Sequence, residues 1–240
     1  MRRYILAALV ALFSFTSCII DDGYTPDENN SNRALYYEVC NFIEAKTMSH
    51  VQPFICADAL LRGDELMLSV VLHNYLSGYT AVVEGNNVKI QHNQSAATDY
   101  YLVCTDGKPL SEGGVWTLHG YYGLYNSKRS TCTGVAGEQC AFTIRDEVNT
   151  QWDNYVFNST IRYSMTELNE LQIALCGNGR RDYASYYYSY NIDEQTPLIY
   201  KDDDIYRPIS GALTAAYHDL DSGRDVKISA KITNSTVTYN

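Results

Sequence analysis

The spacing of apolar positions changes along the chain, and each spacing predicts a different kind of element. Between Arg33 and Met48, the residues Leu35, Val39, Phe42 and Ile43 recur at helical intervals, which puts four apolar side chains on one face of an amphipathic helix. Pro53 suits the first turn of a second, short helix running to Leu61, because an N–H is not needed there. Gly63 can close that helix, and Asp64-Glu65 opens a third with negative charge at its N-terminus. The third segment, Leu66 to Leu76, is apolar nearly all round and stops at Ser77-Gly78. It reads as a buried helix, with a long buried strand as the alternative.

From Tyr79 onward apolar residues alternate with polar ones. Tyr79–Glu84 and Val88–His92 flank Gly85-Asn86-Asn87 as a hairpin, and Tyr100–Thr105 and Val115–Gly120 flank a glycine-rich connection as another. Further strands are expected at Cys140–Arg145, Asn154–Met165, Glu170–Cys176, Tyr183–Ile192 and Leu198–Tyr200. The chain closes with Ala212–His218, Asp225–Ile232 and Thr236–Tyr239. So many short strands without helices between them predict an antiparallel arrangement. The fold class is therefore α+β and mainly β: a helical segment over 33–78, then an antiparallel sandwich or extended roll over 79–240.

The start of the chain has neither period. Arg2 and Arg3 precede an apolar run from Tyr4 to Phe15, followed by small Thr16 and Ser17 and then Cys18. A positive end, an apolar core and small residues before the cut describe an export signal over 1–17. The run is too short for a spanning helix, which needs ~20 apolar residues. Ile19 to Asn32 is rich in Asp, Asn, Gly and Pro and reads as a tether.

Phe15-Thr16-Ser17-Cys18 resembles the lipobox of bacterial lipoproteins, in the style of the Bacteroidales. The resemblance covers the first 22 residues. It implies cleavage before Cys18, a diacylglyceryl thioether on its sulfur and acylation of its new amino group. Two or three acyl chains hold a protein on a membrane where one holds it only marginally. Asp21 and Asp22 resemble the acidic signal that sends such lipoproteins to the outer face of the outer membrane, with the periplasmic face as the alternative. The layout of the rest resembles small Bacteroidales lipoproteins of unassigned function. No cofactor is expected beyond the covalent lipid.

Charge then narrows the partners. Of 18 basic residues, Arg2 and Arg3 leave with the signal, so 16 face 28 acidic ones and the mature formal charge is −12. That balance offers no footprint for a phosphate backbone and excludes nucleic acid as the expected partner. It also leaves membrane attachment to the lipid rather than to a basic patch. Six cysteines remain besides Cys18, and either disulfides or buried thiols fit them. Cys132 and Cys140, joined by a short turn-rich loop, are the pair with local support, and Cys40 and Cys56 could link neighbouring helices.

Catalytic motifs are absent from the sequence: there is no G-x-S-x-G, no H-E-x-x-H and no P-loop, and the five histidines are scattered. No Cys or His pair has zinc-ligand spacing. Asp219-Leu-Asp221-Ser-Gly223-Arg-Asp225 alternates carboxylates around a glycine, which fits either a weak calcium loop or, preferably, an acidic turn. Arg62-Gly63-Asp64 is the integrin tripeptide, and each residue also has a role at a helix junction. Twenty-two tyrosines are the compositional oddity. In a strand, Tyr186, Tyr188 and Tyr190 share one face, and with Trp116 they could stack on sugar rings; a strand covered on both sides, or cross-strand Tyr pairs on an exposed sheet, is the preferred reading because tyrosine is spread over the whole chain. The expected function is thus a non-catalytic, lipid-anchored envelope protein, facing the cell exterior, whose β domain binds a glycan or a surface protein. A polymer hydrolase or a fimbria-like structural component is the alternative.

Overall fold

The computed structural model describes residues 28–94, 100–108, 110–120, 128–134, 140–149, 154–201 and 207–239. Cys18 and the acidic pair Asp21 and Asp22 lie outside them. Three helices come first: α1 (Glu28–Lys46), α2 (Gln52–Arg62) and α3 (Glu65–Asn74), with a π-helical turn over Thr47–Val51 joining the first two. The apolar stripe predicted for α1 is buried as expected, through Leu35, Val39, Phe42 and Ile43. Pro53 stands in the first turn of α2, and Gly63 ends it in the left-handed conformation at φ 69°. Asp64 caps α3, its carboxylate accepting from the Met67 amide at 3.0 Å. The third segment is a helix, but within it only Met67 and Val71 are buried and Leu66 stands largely exposed. It packs on α2 along one side and leaves the other to solvent, so its all-round apolar sequence overstated its burial.

Among the described residues, the β part is one continuous antiparallel sheet of thirteen strands. These are β1 (Tyr79–Glu84), β2 (Asn87–His92), β3 (Tyr100–Cys104), β4 (Val115–Gly120), β5 (Lys128–Gly134), β6 (Ala141–Asn149), β7 (Asn154–Met165) and β8 (Leu171–Asp182), then β9 (Tyr186–Ile192), β10 (Leu198–Lys201), β11 (Ser210–Asp219), β12 (Asp225–Thr233) and β13 (Thr236–Tyr239). The fold is α+β and mainly β, and its hydrogen-bond path never breaks into a second sheet. Each strand pairs with the next, except where β9 and β10 lie end to end between β8 and β11. They act as one long strand interrupted at residues 193–197. Opposite that interruption Gly177, at φ +134°, passes so close to β7 that a Cβ would meet Asn158 O at 2.2 Å. β5 was not foreseen, because its Ser/Thr-rich sequence alternates too weakly.

The helices cover one face of the sheet, α1 lying against β9, β11 and β12 and α2 against β1 and β3. Burial along the strands alternates to match; β7 shows it most cleanly, with Tyr155, Phe157, Ser159, Ile161 and Tyr163 turned inward. The helices leave the other face open, and it carries mostly polar and charged side chains such as Ser189, Thr214, Lys227 and His218.

Two cysteine expectations are corrected. Cys40 and Cys56 are separate free thiols, each pushed up to about 12 by burial. Cys140 is also a free thiol, and the β5–β6 register sets Cys132 opposite Ile144, four positions past Cys140. Four residues of strand span ~13 Å, beyond the reach of a disulfide.

Phe42 is the centre of the interface between α1 and the sheet, its ring within 6.3 Å of Tyr155, Phe157, Tyr188 and Tyr190. Phe42→Ala is expected to cost about 3–5 kcal/mol. The check is urea denaturation, where the midpoint should fall with an unchanged slope.

Candidate functional site

The tyrosine strand is placed as alternation requires, but inside out with respect to binding. Tyr186, Tyr188 and Tyr190 share a face of β9, and that face looks at α1. Tyr188 is 1 % and Tyr190 4 % exposed, both against Phe42. Trp116 is 1 % exposed, and its indole N–H donates to Lys108 O at 2.8 Å. These side chains form core, and the expected aromatic platform for sugars is not on the surface. Helix α1 covers Tyr188 and Tyr190, and nothing in the strand's own sequence specifies which of its two faces a helix will take.

Tyr186 sits at the rim of the interface. Its hydroxyl donates to Glu38 Oε1 at 3.0 Å, and its ring stacks on Tyr183 at 4.5 Å and tilts against Tyr217 at 5.2 Å. Burial raises the Glu38 carboxyl above its ordinary value, outweighing the Tyr186 hydrogen bond and the nearby Arg181. A half-buried carboxyl of this kind is a common mark of acid–base chemistry. Here one carboxylate oxygen is already engaged by a phenol in a packed aromatic stack.

Two buried polar hubs lie under the helices. In the first, three groups converge on Asp146 Oδ2: Lys46 Nζ at 3.1 Å, His50 Nε2 at 2.9 Å and the Tyr155 hydroxyl at 2.8 Å. The Lys46 ammonium also lies 3.1 Å from the centre of the Tyr155 ring. Burial alone would raise the Asp146 carboxyl, but the hydrogen bond and charge of His50, then Lys46 and Tyr155, hold it well below the usual range. Acid, base, amine and phenol together would be a catalytic set if a substrate could reach them. Asp146 and His50 are sealed from solvent, so the set ties helix to sheet instead.

The second hub joins α2 to β7. Arg62 Nε donates to Asp58 Oδ2 at 2.9 Å, and Tyr163 donates a hydrogen bond to the same oxygen. Arg62 also reaches the Tyr163 hydroxyl at 3.1 Å. Within the integrin-like tripeptide, Arg62 is therefore held by Asp58 and Tyr163, Gly63 ends a helix and Asp64 begins the next. The junction roles account for all three.

The open face has its own constellation. His218 Nδ1 and Asp225 Oδ1 are 2.6 Å apart across β11 and β12, and the His218 ring lies against Tyr187 at 5.2 Å. Arg180 stacks over the other side of Tyr187 at 3.9 Å and pairs with Asp182 at 2.6 Å. A base oriented by an acid is part of a nucleophilic set. The hydroxyl or thiol that would complete it has no counterpart among the described hydrogen bonds of His218. Beside this row the sheet surface dips into a cavity of about 470 Å³, lined by Ser189, Asn191, Thr214, Ala216, Lys227 and Ser229. The acidic loop resolves as a turn: Asp219 Oδ1 accepts from the Asp221 and Ser222 amides at 3.0 and 2.7 Å, and the Ser222 contact holds its carboxyl below the usual range. Residues 202–206, which hold the Asp202-Asp203-Asp204 run, lie outside the described residues.

Asp146→Asn leaves Lys46 buried without its counter-charge and is expected to cost about 3–5 kcal/mol. Because the folded carboxyl titrates below its unfolded value of about 4, its contribution is full above that pH and is lost progressively as pH falls from there toward the lower folded value. Urea midpoints should therefore drop more steeply on acidification in the native chain than in Asp146→Asn.

Comparison with known proteins gave no match: no family model fits the chain, and no curated protein and no solved structure matches it.

Proposed function

We propose that this is a lipid-anchored, non-catalytic envelope protein that binds a polyhydroxylated ligand on the uncovered face of its sheet. The observation that carries the reading is the trough between Ser189, Thr214 and Lys227, a concave surface on the face the helices leave open, where polar groups stand on a mostly apolar floor. Hydroxyls, one carboxamide and one ammonium converge there, which is the chemistry that recognises sugar hydroxyls, and its volume lies in the range of small-ligand sites. Support for the anchor comes from the export signal and Cys18, and for an outward-facing address from Asp21 and Asp22. The non-enzymatic reading rests on the burial of the two acid–base hubs and on the absence of a described nucleophile beside His218. A structural, fimbria-like role has one observation in its favour: β1 ends the sheet, and Val82 and Val83 are exposed on it.

Cys18→Ala is expected to abolish membrane partitioning, and a variant that still floats with membranes sinks the anchor. On a glycan array, the full chain should bind a restricted set of sugars, and Ala216→Trp, which fills the trough on an exposed strand, should remove that binding. Sugar binding unchanged by Ala216→Trp, or a blank array for the native chain, overturns the trough and leaves contact through the β1 edge as the reading to pursue.

A further inference from the structure

Helix α1 carries the end of the chain that leads back to Cys18. Ten residues separate Cys18 from Glu28, so the anchor lies within ~35 Å of the helix start whatever path the chain takes. What surrounds that start is unlike the rest of the surface. The β11–β12 hairpin tip reaches it through Arg224, which donates to Ser31 Oγ at 3.2 Å. The β8–β9 tip lies alongside, with the Leu220 amide donating to Ser185 O at 2.8 Å and Tyr186 reaching Glu38 on the helix.

Two of the large apolar side chains left exposed among the described residues lie at this corner, Leu220 at 54 % and Tyr183 at 37 %. The Arg181 guanidinium lies 5.2 Å from the centre of the Tyr183 ring. Tyrosine with an apolar ring and a wet hydroxyl, arginine beside it and one protruding leucine make up the side-chain chemistry of a membrane–water interface.

We infer that the corner formed by the start of α1 and the β8–β9 and β11–β12 tips rests on the lipid surface that holds the anchor, with Leu220 and Tyr183 at headgroup level. The inference rests on the lipid-anchor reading above. The acyl chains then hold the protein on the membrane, and the corner sets its orientation, with strands β8 to β12 rising from the surface. The β7–β8 tip, where Leu168 is 78 % exposed, is at the opposite end of the strands and points away.

The test is amide hydrogen exchange on the full lipidated chain bound to vesicles of phosphatidylethanolamine with a minority of phosphatidylglycerol, compared with the Cys18→Ala chain mixed with the same vesicles. Amides of 183–186 and 219–225 should exchange several-fold more slowly in the bound chain, those of 166–170 should not change, and Leu220→Asp should remove the protection. Equal exchange at all three tips in a chain that floats with the vesicles overturns the orientation and leaves the anchor standing. A native chain that does not float overturns the anchor, and the orientation with it.

Discussion

A single antiparallel sheet has two faces and cannot bury either by itself. Everything in this structure depends on the helices that supply the missing layer. Phe42 stands at the point of contact, touching rings from β7 and β9, and on either side of it Val39 and Ile43 complete the apolar stripe of α1. The strands alternate because only one of their faces meets this layer. The same asymmetry decides where function can be sought. Side chains that point inward are consumed by packing, however reactive they look, and chemistry with outside molecules is left to the polar face and to the ends of the strands.

The Asp146 hub shows how the layers are kept in register. An isolated charge under a helix would be costly, and here an ammonium, an imidazole and a phenol share one carboxylate oxygen. Apolar contacts tolerate sliding, whereas this convergence does not. It fixes where the π-helical turn after α1 sits over β6 and β7, much as the Asp58–Arg62–Tyr163 group fixes α2 near the far end of β7. Two polar pins, one at each end of β7, thus give the interface a unique alignment that apolar surfaces alone leave undefined.

Much of this architecture was legible in the sequence, for reasons that can be named. Helix α1 announced itself through Leu35, Val39, Phe42 and Ile43, and β7 and β13 through clean alternation, because in each a regular period coincides with burial on one side. β5 escaped because Lys128-Arg-Ser-Thr-Cys-Thr-Gly134 has no apolar period to read. The tyrosine strand was legible as a strand with Tyr186, Tyr188 and Tyr190 on one face, but whether that face meets water or helix is a tertiary fact. The two hubs were not legible at all: Lys46 and Asp146 are 100 residues apart, and Asp58 and Tyr163 are 105 apart. No local pattern encodes such pairs. The trough was equally hidden, since its lining is assembled from β9, β11 and β12, which only the sheet brings side by side.

The meander is local from strand to strand, yet its first helix is not. Ser31 meets Arg224 across 193 residues, and Tyr36 packs on Tyr239, next to the last residue. The first helix meets β7 and β9 through Phe42, and it meets β12 and β13 only when the final hairpin exists. The helix that begins the fold is thus completed by the strands that end it, and that distant closure raises the contact order of an otherwise local meander.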